Sequence, residues 1–178
     1  MKYFFITADS AYPQPTLKNW FNTLNPRVIR DGRYEEIKDF MRFQVESGDD
    51  IFLTDIISYP YFMVSEKMRD VMRMYDSKLE FKAIHLIDSK KHNNILYYIP
   101  SLDYVDCLSD FTQYNKDKSG LEHAVLDVSK IEGQRIFMLA GIINKYIVAD
   151  LFLVESIIRR GIEGFKLNPI EIINKEGE

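Results

Sequence analysis

The sequence predicts an α+β protein with mixed or antiparallel sheets and a duplicated strand–helix–strand unit. Three observations predict it. Met41, Phe43 and Val45 alternate with Arg42, Gln44 and Glu46, the period of a half-buried strand. Met68, Val71, Met72 and Tyr75 recur at helical spacing behind Ser65. Ser65 suits an N-cap, with Glu66 and Asp70 near the positive end of the helix dipole. The same order then returns 84 residues later, with Phe62-Met63-Val64-Ser65-Glu66 matched by Tyr146-Ile147-Val148-Ala149-Asp150, and Phe81-Lys82 by Phe165-Lys166.

In chain order, Lys2 to Thr7 reads as a strand, and Tyr12-Pro13-Gln14-Pro15 enforces an extended or turning segment. A short helix fits Thr16 to Leu24, limited by Pro26. After the alternating strand come a turn at Ser47-Gly48-Asp49-Asp50 and a strand at Ile51 to Asp55, then Tyr61 to Val64 leading into the helix. Strands follow at Phe81 to Ile87 and Ile95 to Ile99, joined by a polar turn with Lys90-Lys91-His92. Ser101 to Asp110 reads as a short helix capped by Ser101, and Asn115 to Gly120 as a loop. Ala124 to Val128 and Arg135 to Leu139 are strands. Gly161 suits a left-handed cap after the second helix.

The other matches between the copies drift. Ile51-Phe52-Leu53 aligns with Ile136-Phe137-Met138 at an offset of 85, and Met68, Val71, Tyr75 with Leu151, Val154, Ile158 at 83. Two similar units sharing one core are expected, in a single compact domain spanning 1–178. Its divisions are an N-terminal segment 1–48, a first unit 51–87, a middle segment 94–128 and a second unit 135–172.

Composition bounds the function. A chain of 178 residues buries roughly 70% of the surface its unfolded form exposes, enough for a substantial core. A formal charge of −4 argues against nucleic acid as partner, since phosphate backbones require a basic stripe. The most apolar stretch, Ile136 to Val154, is broken by Asn144, Lys145 and Asp150, short of a membrane span. The N-terminal apolar run is too short for a secretory signal. Cys107 is the lone cysteine, so no intramolecular disulfide forms, which fits a reducing, cytoplasmic setting.

No catalytic, cofactor-binding or metal-binding set is expected. His85, His92 and His123 are scattered, and no nucleophile elbow, phosphate loop or dinucleotide fingerprint is present. Asp103, Asp106 and Asp110 would share one face of the helix expected there, able to hold a hard cation, with a solvated helix face as the plainer reading. Cys107 reads as a small buried hydrophobe. Asp49-Asp50 and Glu35-Glu36 read as a turn and a polar face. The chain is rich in aromatics, with 12 Phe, 11 Tyr and one Trp. Trp20, beside Phe21, and Tyr59 and Tyr61, on either side of Pro60, are the candidate partner-binding anchors, with core packing as the competing role.

Several segments together resemble a bacterial polymorphic-toxin immunity-protein family. They are Tyr61-Phe62-Met63-Val64-Ser65-Glu66, Leu79-Glu80-Phe81-Lys82, Tyr97-Tyr98-Ile99-Pro100 and Val105-Asp106-Cys107-Leu108, then Ile136 to Gly141 and Tyr146 to Asp150. The similarity covers roughly 51–172, and the N-terminal third carries none. Where that family repeats serine-glutamate in its second copy, this chain has Ala149-Asp150, which removes a capping hydroxyl. The resemblance implies a cytoplasmic protein, not an enzyme, that binds a cognate toxin encoded beside it and blocks its action. The alternatives are a homo-oligomeric interaction module and, further off, a small-ligand protein or enzyme using the Asp103 region.

Overall fold

The computed structural model describes residues 1–46 and 53–174. The turn expected at 47–50, its Asp49-Asp50 pair, most of the strand expected at 51–55 and the tail after Asn174 therefore lie outside the described residues. The order is β1 (Tyr3–Ala8), β2 (Thr16–Leu17), α1 (Trp20–Thr23), α2 (Pro26–Arg30), β3 (Phe40–Glu46), β4 (Ile56–Ile57) and β5 (Met63–Val64). Helix α3 (Glu66–Tyr75) then leads to β6 (Phe81–Asp88), β7 (Asn93–Pro100), β8 (Tyr104–Val105), β9 (Gln113–Tyr114), β10 (Leu121–His123) and β11 (Val125–Asp127). The chain closes with β12 (Ile136–Leu139), β13 (Ile147–Asp150), α4 (Leu151–Arg159) and β14 (Phe165–Ile173). The class is α+β with mixed sheets.

Two compact units are present. One comprises Met1–Ile6, Leu102–Ser156 and the segment from Leu167 onward; the other comprises Thr7–Ser101 and Ile157–Lys166. Neither is a contiguous stretch of sequence. In the first unit the buried cluster includes Tyr3, Val105, Cys107, Leu126, Phe137, Val148 and Ile170, with Tyr3 edge-on to Phe137. In the second, β3 buries Met41, Phe43 and Val45 as its alternation predicts, and Ile84 and Leu86 of β6 are fully buried.

Five strands of each six-stranded sheet follow one plan. The sheet of the second unit runs β2-β3-β6-β7-β5-β4, and the other runs β11-β14-β1-β13-β12-β8. In the first of these, β3 pairs parallel with β6, and β5 pairs antiparallel with both β7 and β4. Correspondingly, β11 pairs parallel with β14, and β13 pairs antiparallel with both β1 and β12. In each sheet the strands before and after the helix flank a third, which is β7 in one and β1 in the other. The plan is permuted along the chain: β7 follows its unit, whereas β1 precedes everything else.

The register corrects the offsets read from sequence. Val64 faces Tyr98 and Ile56, and Val148, 84 residues on, faces Phe5 and Phe137. Ile56 and Ile57 thus occupy the places of Phe137 and Met138, not Phe52 and Leu53. Of the latter pair only Leu53 is described, and it lies outside any strand. The helix match shifts as well. Helix α4 buries Leu153, Val154 and Ile157 while Ile158 is 56% exposed, so Met68 and Met72 correspond to Leu153 and Ile157. Apolar residues on both sides of α4 allowed either phase in sequence, and burial selects one.

The cap moves with the helix. Ser65 Oγ accepts from Met68 N at 3.2 Å, as expected of an N-cap. At the start of α4 no cap is lost: Asp150 takes the position, its carboxylate accepting from Leu153 N at 2.9 Å. Asp150 is fully buried and is matched by Arg135 Nη1 at 2.5 Å. The N-terminal stretch differs from a single helix at 16–24. Thr16–Leu17 pairs with β3, α1 is one turn, and Pro26 opens α2 at its first position, where its missing N–H costs nothing.

Candidate partner-binding surface

Trp20, Tyr59 and Tyr61 are brought together in the second unit. Asn19 starts α1 in a left-handed conformation (φ 48°), and the turn closes with Leu24 N donating to Trp20 O at 2.9 Å. Leu24 is buried, which seats the turn. Asn25 then caps α2 through Arg27 N at 3.0 Å, so the chain passes directly from one helical turn into the next.

The indole of Trp20 is the hub. It meets Phe21, Tyr59 and Tyr61 edge-on, at centroid distances of 5.8, 5.9 and 5.8 Å. Such T-shaped contacts align the positive ring edge with the negative face of the neighbour and add about 0.5–1.5 kcal/mol each beyond area burial. Tyr61 is wholly buried beneath and packs on Phe43 at 5.9 Å. Its hydroxyl donates to the carbonyl oxygens of Leu24 and, at 3.2 Å, Trp20, and burial holds its pKa well above the ordinary tyrosine value. A rigid column therefore runs from core Phe43 through Tyr61 to Trp20, and ends on Phe21 and Tyr59, which are 59% and 70% exposed. Tyr61 supports this surface without reaching it.

The helix expected at 101–110 is not formed. Tyr104 and Val105 instead pair parallel with Met138 and Leu139, and this long-range ladder takes the backbone that a helix would have used. Asp103, Asp106 and Asp110 are consequently exposed and share no helix face, and among the described residues no group of three or more His, Cys, Asp or Glu could hold a metal ion. Cys107 is fully buried, and desolvation, with a smaller push from Asp106, raises its thiol pKa to about 12. It is no nucleophile in the folded chain. His85 Nδ1 lies 2.8 Å from Asn94 Oδ1, His123 Nε2 lies 2.9 Å from Glu171, and His92 sits in a turn at φ 52°. Glu35 and Glu36 belong to a single 3-10 turn.

Phe40 was overlooked in sequence. It falls on the polar side of the β3 alternation with Arg42 and Gln44, and it is 47% exposed. An aromatic out of phase with the buried set was the available signal.

Fold and surface together define a class: an α+β protein with two six-stranded sheets and a core-supported aromatic surface. Among the described residues no helix is long and apolar enough to cross a membrane. Residues 6–171 match the model of the immunity protein family (Imm11), and the chain belongs to that family. The match takes in the N-terminal stretch with α1 and β3, beyond the 51–172 legible as a resemblance. No curated relative matches the chain.

Proposed function

We propose that this immunity protein neutralises a cognate bacterial toxin in the cytoplasm by direct protein contact, through the surface built on Trp20, Phe21 and Tyr59. The family match over residues 6–171 carries the reading. The aromatic surface supports it, because Trp and Tyr are enriched among residues that dominate binding energy, and a preformed support lowers the ordering cost of association. Blocking a toxin by contact needs a complementary surface with a few anchors and a polar rim, and no reaction step.

Co-expression with the toxin encoded beside the gene tests the reading. Cells carrying both should survive, and the toxin should co-purify with the tagged protein. Survival no better than with an empty vector would overturn it.

A further inference from the structure

The geometry points to a partner whose contacting face is acidic: the α1–β3 face is built to lodge carboxylates between Lys38 and Arg42 beside the aromatic anchors. The inference rests on the contact reading above and specifies the chemistry of the surface that docks.

Strand β3 turns Met41, Phe43 and Val45 inward and Phe40, Arg42 and Gln44 outward. An open cavity of about 300 Å³ is lined by Thr23, Lys38, Phe40, Met41 and Arg42. The Arg42 guanidinium stands 5.2 Å above the Phe40 ring, and the His85 ring lies 4.6 Å from the same ring on the neighbouring strand. Thr23 closes the cavity from α1, one helical turn from Trp20. The cavity therefore borders the helix that carries Trp20 and Phe21.

Three nearby cations are matched: Arg30 by Asp31 at 2.9 Å, Arg33 by Glu36 at 2.6 Å and Lys82 by Asp39 at 2.5 Å. Lys38 and Arg42 form no ion pair among the described residues, in a chain whose net charge is −4. Two cations with no ion pair among the described residues, beside the exposed Phe40 ring, complement carboxylates flanked by apolar side chains. A nucleic acid is disfavoured, because two cations in a chain of net charge −4 make no continuous basic track.

Trp20 is the only tryptophan, so indole emission of the chain reports on α1, the helix that also supplies Thr23 to the cavity. The full chain, the exposed double variant Lys38→Glu/Arg42→Glu and the neutral Lys38→Gln/Arg42→Gln are titrated with the neighbouring toxin, made catalytically inactive. The wild type should bind, with affinity falling as salt rises. Charge reversal should weaken binding at least about tenfold, and neutralisation by less, with melting temperatures unchanged. Toxin binding undiminished by charge reversal would overturn the inference and leave the contact reading standing. Failure of the wild type to bind the toxin would overturn the contact reading instead. In that case a short peptide alternating glutamate and phenylalanine decides: a shift of Trp20 emission in the wild type but not in Lys38→Glu/Arg42→Glu supports an acidic ligand, and no shift overturns it. A stronger response to single-stranded DNA of equal charge than to the peptide would overturn it as well.

Discussion

Replacing Gly164 by alanine should destabilise the second unit far more than a surface substitution. Gly164 has φ +77°, where an L side chain is strained by about 1–2 kcal/mol. A Cβ there would stand 2.2 Å from both Cβ and Cγ2 of Thr54. Neither side yields readily. Gly164 O accepts from Asp9 N at 2.9 Å, and the preceding residue exchanges bonds with Asp55, Asp55 N to Glu163 O at 3.1 Å and Glu163 N to Asp55 Oδ2 at 2.8 Å. Thr54 is buried, and its hydroxyl donates to Ile56 O at 2.8 Å and accepts from Gln14 Nε2 at 3.2 Å. Forcing atoms into such a site costs about 1–3 kcal/mol, so strain and overlap together reach about 2–5 kcal/mol. For a chain of this size the melting temperature should drop by roughly 4–20 °C, read by calorimetry or circular dichroism. Adding Thr54→Gly removes the overlapping atoms. The Gly164→Ala step should then cost only the conformational share, about 1–2 kcal/mol. A Gly164→Ala protein melting within about 1 °C of the wild type would refute the reasoning.

The two helix caps should differ in weight. Ser65→Ala removes one capping acceptor at the edge of α3 and should cost about 1 kcal/mol. Asp150→Ala removes a fully buried cap together with its charge-assisted bond to Arg135, for about 3 kcal/mol or more in urea unfolding; equal losses would contradict the assignment. Cys107 should resist thiol reagents in the native protein at pH 8 and react only after denaturant is added. Its folded pKa of about 12 lies above the ordinary 9.0, so the unfolded thiol ionises first. Stability should accordingly fall, by up to about 1.4 kcal/mol per pH unit, as pH rises from about 9 towards about 12. A Cys107→Ala variant should lose that share of the slope, and an unchanged slope would rule the thiol out as its source.

Local rules account for much of what was legible in sequence. The β3 alternation, the Ser65 cap and the buried face of α3 each follow from side chains a few residues apart, so period and cap chemistry suffice to read them. Family resemblance was legible for the same reason, since its segments are short strands and a helix start. The aromatic anchors were legible as residue types, but not their division of labour. Trp20 and Tyr61 are 41 residues apart, and only packing shows that one is the hub and the other its buried support.

Where pairing partners are distant, the sequence was ambiguous and tertiary structure decided. The stretch 101–110 fits a helix by its caps and charges, yet Tyr104 and Val105 are claimed by β12, more than thirty residues on. The likeness of the two units followed the same course. Residue types suggested a doubled strand–helix–strand pattern, while the common strand plan, its permutation through β1 and the exchange of Ser65 for Asp150 as cap emerged only from pairing and burial. By itself the sequence determined the class, the alternation and the aromatic endowment. Only the tertiary structure decided which strands adjoin, which ring is buried and which cations among the described residues lack a partner, because burial and charge pairing depend on residues that the chain brings together from far apart.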